Sequence, residues 1–406
     1  MNVLYRKSSG SLAISRGYRV HKDVVVSNLI GLAVFSTFLP FKIYPFFYLI
    51  ACISLMGALR NKTYLYNIFL FLFCCVSGVV FLLHPIDDDT ISALIKLYLN
   101  AILLFFLSIS ERKVSGGFNS LKTIELYLRF IMLLCFIQIL TLQLISGGIS
   151  ITAGDSYSAG QIFDSDFALF GGGDKNMFGA KVALFGYLHY VLYSIIYRKY
   201  HFLYAGLTVL TALLSLSRTS FIFILIAIFV FYFLKKDRPF AKIFFVLTTI
   251  IIVFFAMPYI LDYIRISSIT SFERNDGMSI RLLYWISVFK EYDEIGFLGQ
   301  GILSARQFLP RFSEYYNGEP NVHNLFLNTY LDIGFLGFVL YLSFFFSLFI
   351  NMRKKDSKLT LIVFLPLLLM INTLYTAYDS EPWAYYILSI LIIRSKQLVS
   401  PLERKC

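Results

Sequence analysis

Long apolar runs follow one another along this chain, and the gaps between them alternate in charge. One gap carries a cluster of Lys and Arg, and the next carries almost none. A soluble protein of 406 residues needs more polar surface than a chain 58% hydrophobic and 15% charged can supply. Hydrocarbon about 30 Å thick demands roughly 20 apolar residues per spanning helix. Runs at 24–40, 43–59, 63–83, 92–110, 124–146, 177–197, 202–216, 218–234, 241–262, 325–350, 359–376 and 382–394 meet or approach that length. The fold class expected is an all-α polytopic membrane protein with about twelve transmembrane helices. The runs at 24–40, 202–216, 218–234 and 382–394 are short, so roughly ten to twelve spans is the range they support.

The net charge of +12 does not call for a nucleic-acid partner. If the N-terminus lies in the cytoplasm, 24 of the 36 Lys and Arg fall in cytoplasmic segments, as the bias of cytoplasmic loops toward basic residues requires. The small gaps on the other side hold acids instead: Asp87, Asp88 and Asp89; Asp155 to Asp174; and Asp379 with Glu381. This pattern predicts N-in, C-in topology. Residues 1–22 form a basic cytoplasmic tail, 23–262 the first nine helices, 263–324 one large external loop, 325–395 the last three helices and 396–406 a second tail. The first apolar run has no small-residue cleavage site, so no cleaved signal peptide is expected. Of the five cysteines, four lie in spans and Cys406 in the cytoplasmic tail. Neither a disulfide nor a metal-ligand spacing is expected from them.

The basic residues that topology does not explain form a short set. Lys175 and Lys181 lie near the outer end of the sixth run, Lys96 near that of the fourth, and Arg218 interrupts an apolar run from Phe202 to Leu234. Lys42 and Arg129 lie near span ends, where their stems can snorkel. A basic residue at membrane depth costs a few kcal/mol or more and is expected to face a polar cavity with a partner (~2.5–3.5 kcal/mol at the helix centre). Arg218 stands within Ser215-Leu-Ser-Arg-Thr-Ser220, whose hydroxyls suit a tight outer turn. It reads either as an interfacial anchor or as an anion-binding residue, and the second reading is preferred. Asp87, Asp88 and Asp89 read as loop acids rather than a metal site, because no second ligand cluster accompanies them.

The external loop carries Arg265, Arg274, Arg281, Lys290, Arg306 and Arg311. Ser279 to Trp285 begins an amphipathic helix with apolar residues at 282, 283, 285, 286 and 289. The Gly-rich stretch Gly296 to Ser304, with Gly299 and Gly301, reads as a simple loop or as backbone that could approach a phosphate. Pro320 and Asn321 then announce a helix. A continuous helix from His323 to Met352 would run about 45 Å, so it should project or bend, with Gly334 and Gly337 the expected places. Asn324, Asn328 and Asp332 line one stripe of it, and Asp332 is about half a turn out of phase with His323. On these residues alone, His323 reads first as a helix-end residue.

In order, the chain shows Ser217-Arg-Thr219 opening an apolar span, Arg281 ahead of an aromatic helix, Leu298-Gly-Gln-Gly-Ile302, and His323-Asn followed by Asp332-Ile-Gly-Phe-Leu-Gly337. Over roughly residues 170–350 this resembles the O-antigen polymerase/O-antigen ligase superfamily of bacterial surface-polysaccharide enzymes, with Asp174-Lys-Asn176 similar to a further family element. Asp332 departs from the pattern, where members often carry Glu. The resemblance implies an inner-membrane glycosyltransferase that works without metal or other cofactor. Its donor would be an undecaprenyl-diphosphate-linked oligosaccharide, and its partners the lipid bilayer, a chain-length regulator and a flippase. The resemblance raises Arg218, Arg281 and His323 to catalytic candidates. Lys175, Asn176, Lys181, Arg306, Asn324, Gly299 and Gly301 become candidates for holding diphosphate or glycan. Arg suits bidentate phosphate contact, and a neutral His can act as general base toward an acceptor hydroxyl. A polymerase joining repeat units is the preferred reading, with a ligase acting on lipid A-core as the close alternative. A lipid-linked oligosaccharide flippase is disfavoured because the two halves look unrelated and the charges gather at one end.

Overall fold

The computed structural model describes residues 24–40, 43–56, 63–110, 118–151, 162–164, 168–170, 174–235, 239–273 and 276–403. The basic tail 1–22, Lys42, most of the segment from Asp155 to Asp174, Arg274 and Cys406 lie outside the described residues. Each apolar run read from the sequence is helical. They are α1 (Val24–Ser36), α2 (Tyr44–Met56), α3 (Leu65–Leu83), α4 (Asp88–Ile109), α5 (Phe118–Ile145), α6 (Lys175–Ile196), α7 (Phe202–Leu214), α8 (Arg218–Lys235) and α9 (Pro239–Ile264). Four short helices follow: α10 (Ile266–Thr270), α11 (Gly277–Lys290), α12 (Tyr292–Ile295) and α13 (Ala305–Phe312). The chain then continues through α14 (Leu325–Arg353), α15 (Ser357–Ile371) and α16 (Ser380–Glu403). Among the described residues, 6 helices are long and apolar enough to cross a membrane.

The helix α6 is the centre of the bundle. Of its most apolar 18-residue window, 89% is buried, against 28% for α8. Lipid tails are as apolar as Leu, so close approach and hydrogen bonds rather than water exclusion must hold such helices together. Gly179 supplies the approach: a Cβ there would lie 2.6 Å from Ser217 Cβ, so no larger residue fits against the turn between α7 and α8. That turn is built as its hydroxyls suggest. Ser215 Oγ donates to Ala212 O, and the Ser217 and Ser220 hydroxyls meet at 2.8 Å. Gln143 near the end of α5 donates to Leu214 O at 2.7 Å and accepts from Ser150 N at 2.9 Å, tying the same end of the bundle.

The long helix α14 packs along α3 and breaks at Gly334, whose φ of 76° and ψ of −170° lie outside any helix. The break frees carbonyls inside a buried element, and these need donors. The Gly-rich turn provides them: Gln300 N–H donates to Leu331 O at 2.9 Å and Gly301 N–H to Asp332 O at 3.0 Å. In return, Leu336 N–H donates to Phe297 O at 3.2 Å. Gly299 has φ +77°, and a Cβ on it would meet Gly334 N at 2.4 Å, so two glycine backbones lie against each other. The predicted bend is thus present at Gly334, where the loop splints it.

Candidate functional site

The starts of α6, α8 and α14 gather with α11 at one end of the bundle. Asp174 caps α6, accepting from Asn176 N–H at 3.0 Å, and Asn176 Oδ1 lies 3.5 Å from Ser217 Oγ, one residue before Arg218. Arg218 Nη2 donates to Asp276 Oδ2 at 2.5 Å. The other oxygen of Asp276 caps α11, accepting from Met278 N–H at 2.9 Å and Ser279 N–H at 3.2 Å. Burial of Asp276 disfavours its charge, but the Arg218 guanidinium and the two N–H groups outweigh it and hold the carboxyl below its ordinary value. Arg218 therefore both starts α8 and anchors α11.

Arg281 lies one turn into α11 and points inward, 7% exposed. Among the described residues it makes no hydrogen bond and no ion pair. Burial pushes its pKa down, and Arg218 adds to that; Glu319, Asp174 and Asp276 act on it in the opposite direction without touching it. A guanidinium has five donors in a fixed fork. One that is buried and lacks a direct anionic partner is poised for an anion from outside the chain.

The inward direction of Arg281 corrects the expected face of this helix. The buried stripe is Ser279, Ile280, Leu283, Tyr284, Ser287 and Val288, packed on α13 and α14, whereas Ile286 and Phe289 are exposed. The apolar residues at 286 and 289 do not mark the core side. Local periodicity could not distinguish the two faces, because both are largely apolar.

His323 sits just before α14, outside the helix, with φ 53°. Its ring Nε2 lies 3.4 Å from Glu319 Oε2, and Nδ1 is buried. Burial, and after it the Arg281 charge, hold the imidazole below its ordinary pKa against the opposing pull of Glu319 and of a backbone hydrogen bond with Leu374. The same contact with His323 keeps Glu319 below the usual carboxylate range, although burial opposes it. The neighbouring Val322 is clamped from both sides. Trp285 Nε1–H of α11 donates to Val322 O at 2.8 Å, and Val322 N–H donates to Asn328 Oδ1 at 3.3 Å. Asn328 Nδ2–H in turn donates to Asp332 Oδ2 at 2.7 Å, and Asp332 Oδ1 accepts from Ser304 N–H and Oγ–H. Asp332 thus does not touch His323, as its phase suggests, and instead links the Gly-rich turn to the backbone beside it.

Arg218, Arg281 and His323 therefore meet in one electrostatic neighbourhood, bordered by Asp174, Asp276 and Glu319. Lys175 and Asn176 lie at its edge, opening α6 next to Asp174. The other predicted residues have different surroundings. Gly179 faces the α7–α8 turn, so Lys181 two residues later faces away from it; its ammonium pairs with Glu381 at 3.0 Å and donates to Thr37 O at 2.6 Å. Arg306 forms an exposed pair with Asp89 at 2.6 Å. Asn324 caps α14 through Phe326 N–H and Leu327 N–H. Gly299 and Gly301 splint the break in α14, with the Gly301 N–H occupied by Asp332 O. Asp87 caps α4, so the acidic triplet serves a helix start and a surface pair.

Sequence reasoning passed over Asp276, Glu319 and Trp285. Asp276 carried a signal, since Asp-Gly ahead of an apolar run is a helix-start pattern. Glu319 and Trp285 carried none, because their roles come from loop geometry. No curated protein matches the chain. Residues 203–342, about a third of the chain, match the family model described as O-antigen ligase (Wzy_C); that stretch holds Arg218, Arg281 and His323, and the match supports a likeness to the O-antigen polymerase/ligase superfamily.

Proposed function

We propose that this protein polymerises a surface polysaccharide, transferring a glycan from undecaprenyl diphosphate onto the sugar of another lipid-linked repeat unit. The observation that carries the reading is Arg281: buried, with no direct partner among the described residues, between a second Arg and a His. In this reading the diphosphate is the leaving group and gains negative charge as its bond to the anomeric carbon breaks. Arg218 and Arg281 hold it, and such preorganised contacts lower a barrier by about 3–4 kcal/mol each. His323 takes the proton of the acceptor hydroxyl, a role worth roughly 100- to 10,000-fold. The depressed basicity of His323 favours the neutral imidazole that a base requires. Lys175 and Asn176 line the glycan side. The protein lies in the bacterial inner membrane with about twelve spans, N-in and C-in, and 263–324 forms the periplasmic loop.

The description of the matching family favours a second reading, an O-antigen ligase that passes the same donor's glycan to lipid A-core. Donor chemistry is common to both, so the acceptor distinguishes them. Surface lipopolysaccharide from a strain lacking the protein is the test. Core bearing a single repeat with the ladder gone is the polymerase result. Bare core, with long lipid-linked polymer accumulating in the inner membrane, is the ligase result. An unchanged ladder refutes both.

A further inference from the structure

Two large apolar side chains of α11, Ile286 and Phe289, face away from its packed side, and Tyr292 and Phe297 follow them in the chain. With Phe335 of α14, these residues range from 48% exposed at Ile286 to 66% at Phe289. Single exposed apolar residues are ordinary on a protein surface, but a contiguous set marks a contact surface. Backbone and ring contacts join this set to α14. Phe297 O accepts from Leu336 N–H at 3.2 Å, next to Phe335. Tyr292 O accepts from Tyr330 Oη–H at 3.4 Å, and the Tyr330 ring meets that of Phe338 edge-on at 6.1 Å.

The partner of this surface follows from where α14 enters the membrane. Beyond its break, α14 exposes Phe335, Val339, Phe346 and Ile350 along one face, the stripe that a helix long and apolar enough to span shows to lipid. Arg353 is the first charged residue after Asp332 and marks one edge of the apolar stretch. Leu336 lies about 17 residues before it, which is about 26 Å at 1.5 Å per residue, against hydrocarbon about 30 Å thick. Leu336 and the Phe297 bonded to it therefore stand at the opposite edge of the hydrocarbon. We propose that the outward face of α11, with Tyr292 and Phe297, docks on the bilayer at the end that holds the candidate site, so that α11 lies along the membrane surface. Lys290, Asp293 and Glu294 are exposed at the margin of this face and keep it in the interface, where their charges reach water. Interfacial helices sink their apolar face about 5–10 Å into the boundary between headgroups and acyl chains. Arg281, on the packed side of the same helix, then stands within about one helix diameter, ~10 Å, of the lipid phosphates. This docking is independent of the reaction at the site.

The test uses the full chain, one copy per nanodisc of phosphatidylethanolamine and phosphatidylglycerol. A nitroxide on p-acetylphenylalanine replaces Ile286, Phe289 or Phe297 in separate preparations. Gln307, exposed on α13 beside the Arg306–Asp89 surface pair, takes the same label as the water-facing reference. Power saturation of the EPR signal reads collisions with oxygen, which concentrates in lipid, and with a nickel chelate, which stays in water. The expected result is an oxygen-to-nickel ratio severalfold higher at 286, 289 and 297 than at 307. Ratios equal to that at 307 would show a face bathed in water and overturn the proposal. Few collisions with either reagent would show a face covered by protein, a second copy or another segment of this chain, and would overturn it as well. The three labelled positions lie on two elements, so one preparation that fails to fold leaves the other two to decide.

Discussion

Replacing Arg281 by Met should separate the chemistry of this site from its stability. The guanidinium is buried and has no direct partner among the described residues, so its removal breaks no bond among them. Met keeps much of the stem's volume. The relief of a buried charge is offset by the lost attraction of Glu319, Asp174 and Asp276. Folding stability should therefore be unchanged or rise, as when buried charges give way to apolar residues of similar volume. Turnover should fall about 100- to 1,000-fold, the 2.7–4 kcal/mol typical of one preorganised electrostatic contact. Arg218→Met makes the informative contrast. It strips the 2.5 Å contact from Asp276, whose side chain is 0% exposed, leaving that carboxylate only the N–H groups of Met278 and Ser279. A charged hydrogen bond of this kind is worth about 1.5–3 kcal/mol. Arg218→Met should then lose stability as well as turnover. Thermal unfolding in detergent and turnover in nanodiscs, measured on the same preparations, give both quantities. The reasoning is refuted if Arg281→Met melts as early as Arg218→Met, or if it turns over at the wild-type rate.

Other substitutions probe the supports of the site. Gly299→Ala places a Cβ 2.4 Å from Gly334 N in a left-handed conformation; the dihedral alone costs about 1–2 kcal/mol, and the displaced splint adds to it, so the melting temperature should drop clearly. Trp285→Phe removes one hydrogen bond to Val322 O, worth about 1 kcal/mol, and should lower kcat through a looser His323 while donor affinity stays near wild type. Lys181→Met should destabilise by about 3–5 kcal/mol because it leaves Glu381 buried and unpaired. Arg306→Ala breaks an exposed pair with Asp89 and should cost under about 1 kcal/mol. Melting curves of these last two variants distinguish a buried structural pair from a surface one.

The helical skeleton was legible in the sequence because membrane-length apolar runs and their charged gaps are local properties. The bend at Gly334 was legible too, since a helix of that length with two glycines had to project or break. What eluded the sequence were pairings across long separations. Nothing near Lys181 announces Glu381, and nothing near Arg218 announces Asp276, 58 residues away. The Gly-rich turn looked able to approach a phosphate because glycine backbone is permissive wherever it occurs. Only the fold shows that the Gln300 and Gly301 N–H groups are already occupied by carbonyls freed at the break. The Arg218, Arg281 and His323 grouping was reached through the order of short motifs rather than through periodicity. For α11, periodicity alone put residues 286 and 289 on the wrong face.

In the proposed reaction, Arg281 beside His323 drives transfer of a lipid-linked glycan. Purified protein in nanodiscs, given undecaprenyl-diphosphate-linked repeat units alone, tests it most directly. Lengthened lipid-linked product, with one undecaprenyl diphosphate released per added unit and both signals lost in Arg281→Met, is the predicted result. Bound donor with no lengthening, and none when lipid A-core is supplied as acceptor, would contradict the account.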